Sequence, residues 1–249
     1  MAQKTSWEKS AEWYDDLLKN EDTYQNKVIA PQLERLMDLK KGETVLDLAC
    51  GQGFFSEQFL KAGATVVGVD ASRKLIAFAK EARSKVQYFV GSAHELSFLN
   101  TASVDKIALI MAIQNIESVG TMLKECNRVL KPSGRIYIVM NHPAFRIPKG
   151  SSWGWDEAEK IQYRRIDQYL SESKVKIQMH PGDAPDEHTI SFHRPLQFYF
   201  KALRTGGFLV RSVEEWESHK RSEMGPRAKA EDRSRKEIPI FLFLEAIKS

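Results

Sequence analysis

Apolar positions repeat along the chain with two different periods. Trp7, Ala11, Tyr14 and Leu18 recur at helical spacing, and Val28, Leu33, Leu36, Met37 and Leu39 do so again after a polar break at 20–23. Two helices are therefore expected over 7–39, the second starting near Pro31. From Thr44 the rhythm changes. Short apolar runs at 44–49, 65–70, 86–90, 104–111 and 135–140 alternate with helical stretches at 54–61, 73–82 and 121–130. A Lys-Pro-Ser-Gly turn at 131–134 leads into the fifth run. Strands alternating with helices predict βαβ units and an α/β fold around a mostly parallel sheet.

Residues 141–193 break this pattern with Pro143, Pro148, Gly150, Pro181, Gly182 and Pro185. Alternation at 174–179 and 189–192 predicts one hairpin inside the break. The helix–strand rhythm resumes at 195–204 and 208–213. The continuously apolar run 238–247 reads as a last, fully buried strand. Length and a 42% hydrophobic content allow one or two domains, and the resumed rhythm argues for a single domain over 1–249.

The net charge of +4 is not spread evenly. Residues 220–236 hold seven basic side chains against three acidic ones, so this stretch carries the whole excess. The rest is near neutral, which disfavours a general nucleic-acid surface. No apolar run approaches the roughly 18–20 residues of a membrane span, and residues 1–9 lack an apolar leader. Cys50 and Cys126 lie outside any metal-ligand spacing. A cytoplasmic protein without a metal site is expected.

The candidate chemistry starts at the end of the first strand. Gly51 and Gly53 in Cys50-Gly51-Gln52-Gly53-Phe54 let the backbone turn sharply and approach a ligand closely. Asp47 precedes the turn, and Asp70 ends the second strand, where a carboxylate can accept from both ribose hydroxyls. Ser56 stands where a nicotinamide-binding turn needs its third glycine, so that reading fails.

Residues 45–54 resemble motif I of the class I S-adenosylmethionine (SAM) methyltransferases, of the methyltransferase type 11 or UbiE-like kind, and Gly68-Val-Asp-Ala-Ser72 resembles motif II. Residues 91–98, 104–117 and 123–135 are similar to the family's third SAM segment, fourth strand and fifth-strand turn. The resemblance implies a Rossmann-like, mostly parallel sheet with an antiparallel last strand. It implies a helical lid at 1–40 and a substrate cap at 141–193. It also implies SAM as cofactor, with Ala49, Gly51 and Gly53 on the methionine part, Asp70 at the ribose, Ser92, Ala93 and Met111 at adenine and sulfonium, and Asp47 and Ala71 among the cofactor-binding residues. Tyr14 would lie in the lid. Ala49 and Ser92 depart from the family's usual glycine and aspartate.

The acceptor is less marked. The loop Gln114-Asn115-Ile116-Glu117-Ser118 lacks the Asn/Asp-Pro-Pro-aromatic pattern of adenine or amide methylation, and Cys126 reads as core. His142 follows the fifth strand directly and is the candidate general base, with His193 as its rival. Gln114, Asn115, Trp153, Trp155, Tyr163 and Arg194 are candidate acceptor contacts, Arg194 for an acidic group. The tryptophans could equally pack the cap on the sheet, and His94 and His219 read as structural. Metal-free O- or N-methylation of a small molecule is expected. RNA or a protein side chain as acceptor, supported only by 220–236, and a non-catalytic SAM-fold scaffold are the alternatives.

Overall fold

The computed structural model describes residues 5–178 and 188–249. Strands β1 (Thr44–Leu48), β2 (Thr65–Asp70), β3 (Gln87–Val90), β4 (Val104–Ile110) and β5 (Leu130–Asn141) alternate with helices α3 (Phe54–Lys61), α4 (Arg73–Glu81) and α5 (Val119–Val129). Ahead of them lie α1 (Ala11–Lys19) and α2 (Ala30–Met37), the latter entered through a π-helical turn at Gln25–Ile29. Two hairpins follow β5: β6 (Ser151–Asp156) with β7 (Ile161–Ile166), and β8 (Ser173–Gln178) with β9 (His188–His193). Then come α6 (Leu196–Thr205), β10 (Phe208–Trp216), α7 (Ala228–Glu237) and β11 (Phe241–Lys248).

The main sheet runs β10-β11-β5-β4-β1-β2-β3. Neighbours from β5 to β3 pair in parallel, whereas β11 is antiparallel to both β5 and β10. The chain winds outward from β1 to β3 and returns to β4 on β1's other side. The carboxyl ends of β1 and β4 therefore flank the crevice where such sheets bind ligands.

Alternation along the strands divides the interior. Leu46, Leu48, Val67, Ile107, Leu109, Ile136 and Ile138 face α5 and α6. Val45, Val66, Ala108, Tyr137 and Val139 face α2, α3 and α4. Both faces are covered, which explains why the strands read as continuous apolar runs. Cys126 sits in the first of these cores, fully buried.

Two local features differ from expectation, and one expected hairpin forms. The 131–134 turn is absorbed into β5, where Ser133 adopts φ 60° and the register to β4 slips between Val104 and Lys106. The expected hairpin forms, with Val175 opposite Ser191 and Ile177 opposite Thr189, but Met179, His180, Pro181, Gly182 and Pro185 lie outside the described residues. The β6–β7 hairpin was not foreseen. Its Trp155 lies 4.6 Å from the Arg227 guanidinium, and Ser234 of α7 donates to Gln162 O at 2.7 Å, so it packs toward α7. The basic stretch is partly neutralised, since Lys220 pairs with Asp22, Arg227 with Glu157, and Arg235 with Asp232. Among the described residues no helix is long and apolar enough to cross a membrane.

Candidate active site

One cleft of about 1100 Å³ opens at the carboxyl ends of β1, β2 and β4. Its floor is the glycine turn. Ala49 (φ 58°) and Gly51 (φ 58°) are both left-handed there, and Met111 (φ 56°) is left-handed across the crevice after β4. Glycine takes this conformation freely, while Ala49 and Met111 store backbone strain at the site. Asp70 ties the turn to the next strand, because its carboxylate accepts from Gly51 N at 3.0 Å and from Ser72 N at 2.8 Å. Ala71, beside it, lines the cleft.

Gly53 has another task. It does not line the cleft but precedes α3 in the left-handed region at φ 84°. A Cβ there would stand 2.2 Å from Tyr88 Oη and 2.8 Å from its Cζ. Tyr88 is buried and donates to Glu57 at 3.1 Å. Gly53→Ala should therefore destabilise the protein by roughly 2–4 kcal/mol, combining overpacking with left-handed strain. Denaturant unfolding measures this, and a loss below about 0.5 kcal/mol, the scale of an inert surface change, would contradict it.

Asp47 lies beneath the turn with 2% of its surface exposed, accepting from Ser56 Oγ at 2.6 Å. Burial pushes its carboxyl up to about 7, against the pull of that hydrogen bond and with help from the Asp70 charge. An unfolded aspartate titrates near ~3.9. Between these values the folded state binds the extra proton, so ligand-free stability falls as pH rises through the window and levels off above it. The drop should be on the order of a few kcal/mol. Glu125, held low by Arg128, works the other way only below the ordinary glutamate range. Buried Asp70, also raised, adds to the fall, and His142, held low by burial, opposes it in both proteins, so thermal melts from pH 5 to 8 should show a steeper fall in wild type than in Asp47→Asn. An equal slope in both proteins would remove Asp47 as its source. A cationic ammonium beside Asp47 would favour its charged form, so SAM binding near neutral pH should release protons.

The N-terminal segment closes one side. Tyr14 of α1 reaches over the turn, its Cε1 3.5 Å from where a Gly51 Cβ would stand, and Trp7 packs edge-on to it at 5.4 Å. Burial pushes the Tyr14 phenol up to about 12, so it remains a neutral hydrogen-bonding group at neutral pH. Glu8 anchors the segment by accepting from Ser72 Oγ at 2.8 Å and Arg73 N at 3.0 Å, at the N-terminus of α4. Nothing local in the sequence marks Glu8, because its partner lies 64 residues away.

Ser92 and Ala93 line the β3 side, and Met111 and Asn115 the β4 side. Asn115 donates to Ile190 O at 2.7 Å, stitching the loop after β4 to β9. Lys174, Ile190 and Phe192 of the β8–β9 hairpin complete the far wall, and Lys174 pairs with Glu117 at 2.9 Å. These three hairpin residues, together with His94 and Gln52, were missed as site residues. His94 Nε2 and Gln52 Oε1 are buried without a hydrogen-bond partner among the described residues. Both residues line the cleft.

The remaining candidates fall elsewhere. His142 does not line the cleft and is 2% exposed. Its Nδ1 accepts from Ala144 N (3.2 Å) and Phe145 N (3.4 Å), and its Nε2 lies 2.6 Å from Glu215. With Nδ1 occupied and the Nε2 proton on a carboxylate, it has no lone pair for an acceptor's proton. Burial holds its pKa below the usual histidine range. His193 is likewise buried outside the cleft, with Nε2 2.8 Å from Tyr169 O. Neither can be the general base from these positions. Trp153, Trp155 and Tyr163 belong to the β6–β7 hairpin and are also absent from the cleft wall; Trp153 stacks with Arg164 at 5.1 Å. Gln114 turns back to donate to Met111 O at 2.8 Å. Arg194 is buried and donates to Ile116 O and Glu117 O at 2.9 and 2.7 Å, holding the cleft loop instead of reaching into the cleft. Among the described residues no group of three or more His, Cys, Asp or Glu converges as a metal site.

The cleft residues fit a SAM-like ligand. Gly51 lines the cleft under Tyr14, Asp70 ends the neighbouring strand, and two polar atoms in the wall lack partners among the described residues. Comparison with known proteins agrees. The methyltransferase domain family matches residues 46–138. A demethylmenaquinone methyltransferase of Paenarthrobacter aurescens is 32% identical over 141 residues, 53% of this chain and 55% of that protein. A ubiquinone biosynthesis O-methyltransferase of Xanthomonas oryzae is 30% identical over 101 residues, 39% of this chain and 42% of that protein. The chain thus spans about half the length of the curated relatives it matches. A SAM-dependent methyltransferase structure from Mesorhizobium loti superimposes with a TM-score of 0.69 at 26% identity, covering 87% of this chain and 96% of that one. Residues 46–138 thus match the methyltransferase domain family, and the strand order and cleft are those of the SAM-dependent methyltransferase structure the chain superimposes on.

Proposed function

We propose that the protein transfers the methyl group of SAM to an O or N atom of a small, largely apolar acceptor. The observation that carries this reading is the cleft itself, which at about 1100 Å³ has the size of a small-molecule site. It runs unbroken from the glycine turn to the apolar hairpin wall of Ile190 and Phe192. The names of the relatives, methyltransferases of demethylmenaquinone and of ubiquinone biosynthesis, support a small ring compound as acceptor.

SAM, when bound, supplies an activated methyl on a sulfonium. The chain's own residues then have two tasks, alignment and exclusion of water. Gly51 and Asp70 position one end, Trp7 and Tyr14 cover it, and Ile116, Ile190 and Phe192 confine the acceptor opposite. Neither His142 nor His193 takes part, since both are tied up outside the cleft. The test is transfer of labelled methyl from SAM to phenols, hydroquinones and amines by the purified protein, with RNA and protein acceptors run alongside. Label appearing only in RNA or protein would overturn the small-molecule assignment, and SAM binding with no transfer to any acceptor would favour a scaffold. The reaction is proposed to need no metal, so EDTA should leave the rate unchanged.

A further inference from the structure

We infer that Lys174 holds an ionised ring hydroxyl of the acceptor, an assignment that rests on the small-molecule reading of the cleft and narrows the acceptor atom from O or N to O. Among the described residues that line the cleft, Asp47, Asp70, Glu95 and Glu117 are carboxylates, and Lys174 is the one Lys or Arg. Asp47 lies in β1, Asp70 ends β2 and Glu95 follows β3, all on the side where a cationic sulfonium compound suits them. Only Glu117 and Lys174 bring charge to the opposite end, among Ile116, Ile190 and Phe192.

The geometry fixes the Lys174 ammonium without using it up. Lys174 stands opposite Phe192 in the β8–β9 register, so the two side chains share a face. The ammonium lies 5.3 Å from the Phe192 ring. Its Nζ donates to Glu117 Oε1 at 2.9 Å, and that carboxylate comes from the loop after β4, so two elements hold it. An ammonium has three N–H donors, and among the described residues only this bond takes one. The paired side chains are 55% and 67% exposed, and an ion pair that open binds its partners weakly. An incoming oxyanion can share the ammonium or displace Glu117 at little cost. Arg194 cannot serve instead, because its fork is bonded to Ile116 O and Glu117 O. The charge then selects between acceptor atoms. A hydroxyl beside Lys174 loses its proton to solvent more readily, because the cation favours the ionised form. The oxygen lone pair forms the new C–O bond as the S–C bond breaks onto sulfur, giving the methyl ether and S-adenosylhomocysteine. An amine would gain positive charge on nitrogen during the same step, next to a fixed cation, and is disfavoured.

A pH titration of 4-nitrophenol bound to the S-adenosylhomocysteine complex, read by phenolate absorbance, tests the contact without turnover. The dye's midpoint in wild type should lie about one pH unit or more below that in Lys174→Met, the low end of the shift from an opposite charge at contact. In transfer assays Lys174→Met should lower kcat/KM for phenols about tenfold, move the acid limb of the pH profile upward, and leave amines within about threefold. Lys174→Arg should keep most of the phenol rate. Lys176→Met, on the same hairpin face but outside the cleft, should match wild type throughout. Affinity for S-adenosylhomocysteine should stay unchanged in every variant, which also shows that each folds. Absence of dye binding by wild type, equal midpoints in wild type and Lys174→Met, or amines methylated faster than phenols by wild type would overturn the assignment. Benzoate that binds wild type more tightly than the dye, and loses that advantage in Lys174→Met, would give Lys174 to a carboxylate instead. Wild type that binds S-adenosylhomocysteine but methylates no small molecule would overturn the small-molecule reading itself.

Discussion

Replacing Asp70 with alanine should weaken S-adenosylhomocysteine binding by at least a hundredfold. A single hydrogen bond to a charged group contributes about 1.5–3 kcal/mol, and Asp70 has more than one. Its two oxygens hold Gly51 N at 3.0 Å and Ser72 N at 2.8 Å, so the side chain braces the glycine turn against the start of α4. Removing it would cost the ligand its ribose acceptor and loosen the surface beneath the methionine end together. Burial raises the Asp70 carboxyl above the usual range, while the bonds from Ser72 and Gly51 oppose that shift. Asp70→Asn should be milder than Asp70→Ala, because its amide oxygen can keep one backbone bond. Calorimetry on folded variants reads both, and an alanine variant within threefold of wild type would remove Asp70 from the cofactor site.

The sequence was most readable where a structural demand is local. Four of the five central strands and their helices appear within a residue or two of their expected places, because a buried parallel strand must be apolar on both faces, whereas β5 begins at Leu130 and takes in the expected turn. The glycine turn and Asp70 were readable for a similar reason, since one short segment supplies both the conformation and the group. Long-range partnerships were not. His142 follows a strand at the right end of the sheet, but its environment is decided by Glu215, 73 residues later. Trp153 and Trp155 look like a binding wall in sequence, and only the pairing of β6 with β7 shows that they stack on Arg164 and Arg227. A lone histidine such as His94 carries no sign of its neighbours in sequence, and only coordinates show that its ring lines the cleft with Nε2 unpartnered among the described residues.

Arg194 is the sharpest case of a residue whose chemistry was foreseen and whose target was not. A fork of donors next to a proline-opened helix suggests capture of an acidic acceptor. The structure gives the fork to the protein: Nη1 and Nη2 bond Ile116 O and Glu117 O, and the guanidinium lies 4.7 Å and 4.8 Å from the Phe192 and Phe198 rings. Only 5% of the side chain is exposed. Arg194→Ala would leave two carbonyls without donors between aromatic rings, and the loop bearing Asn115 and Ile116 would lose its brace. Destabilisation of about 3–5 kcal/mol is expected, as when a buried charged partner is removed. The KM for the acceptor should rise, while affinity for S-adenosylhomocysteine changes little, because the loop walls the acceptor end. Arg194→Lys should fall between, since an ammonium cannot match the planar fork. Direct binding of an acidic acceptor predicts the opposite pattern, with stability unchanged and KM rising only for acidic compounds. Denaturant unfolding of the alanine variant beside its KM for neutral and acidic acceptors separates the two.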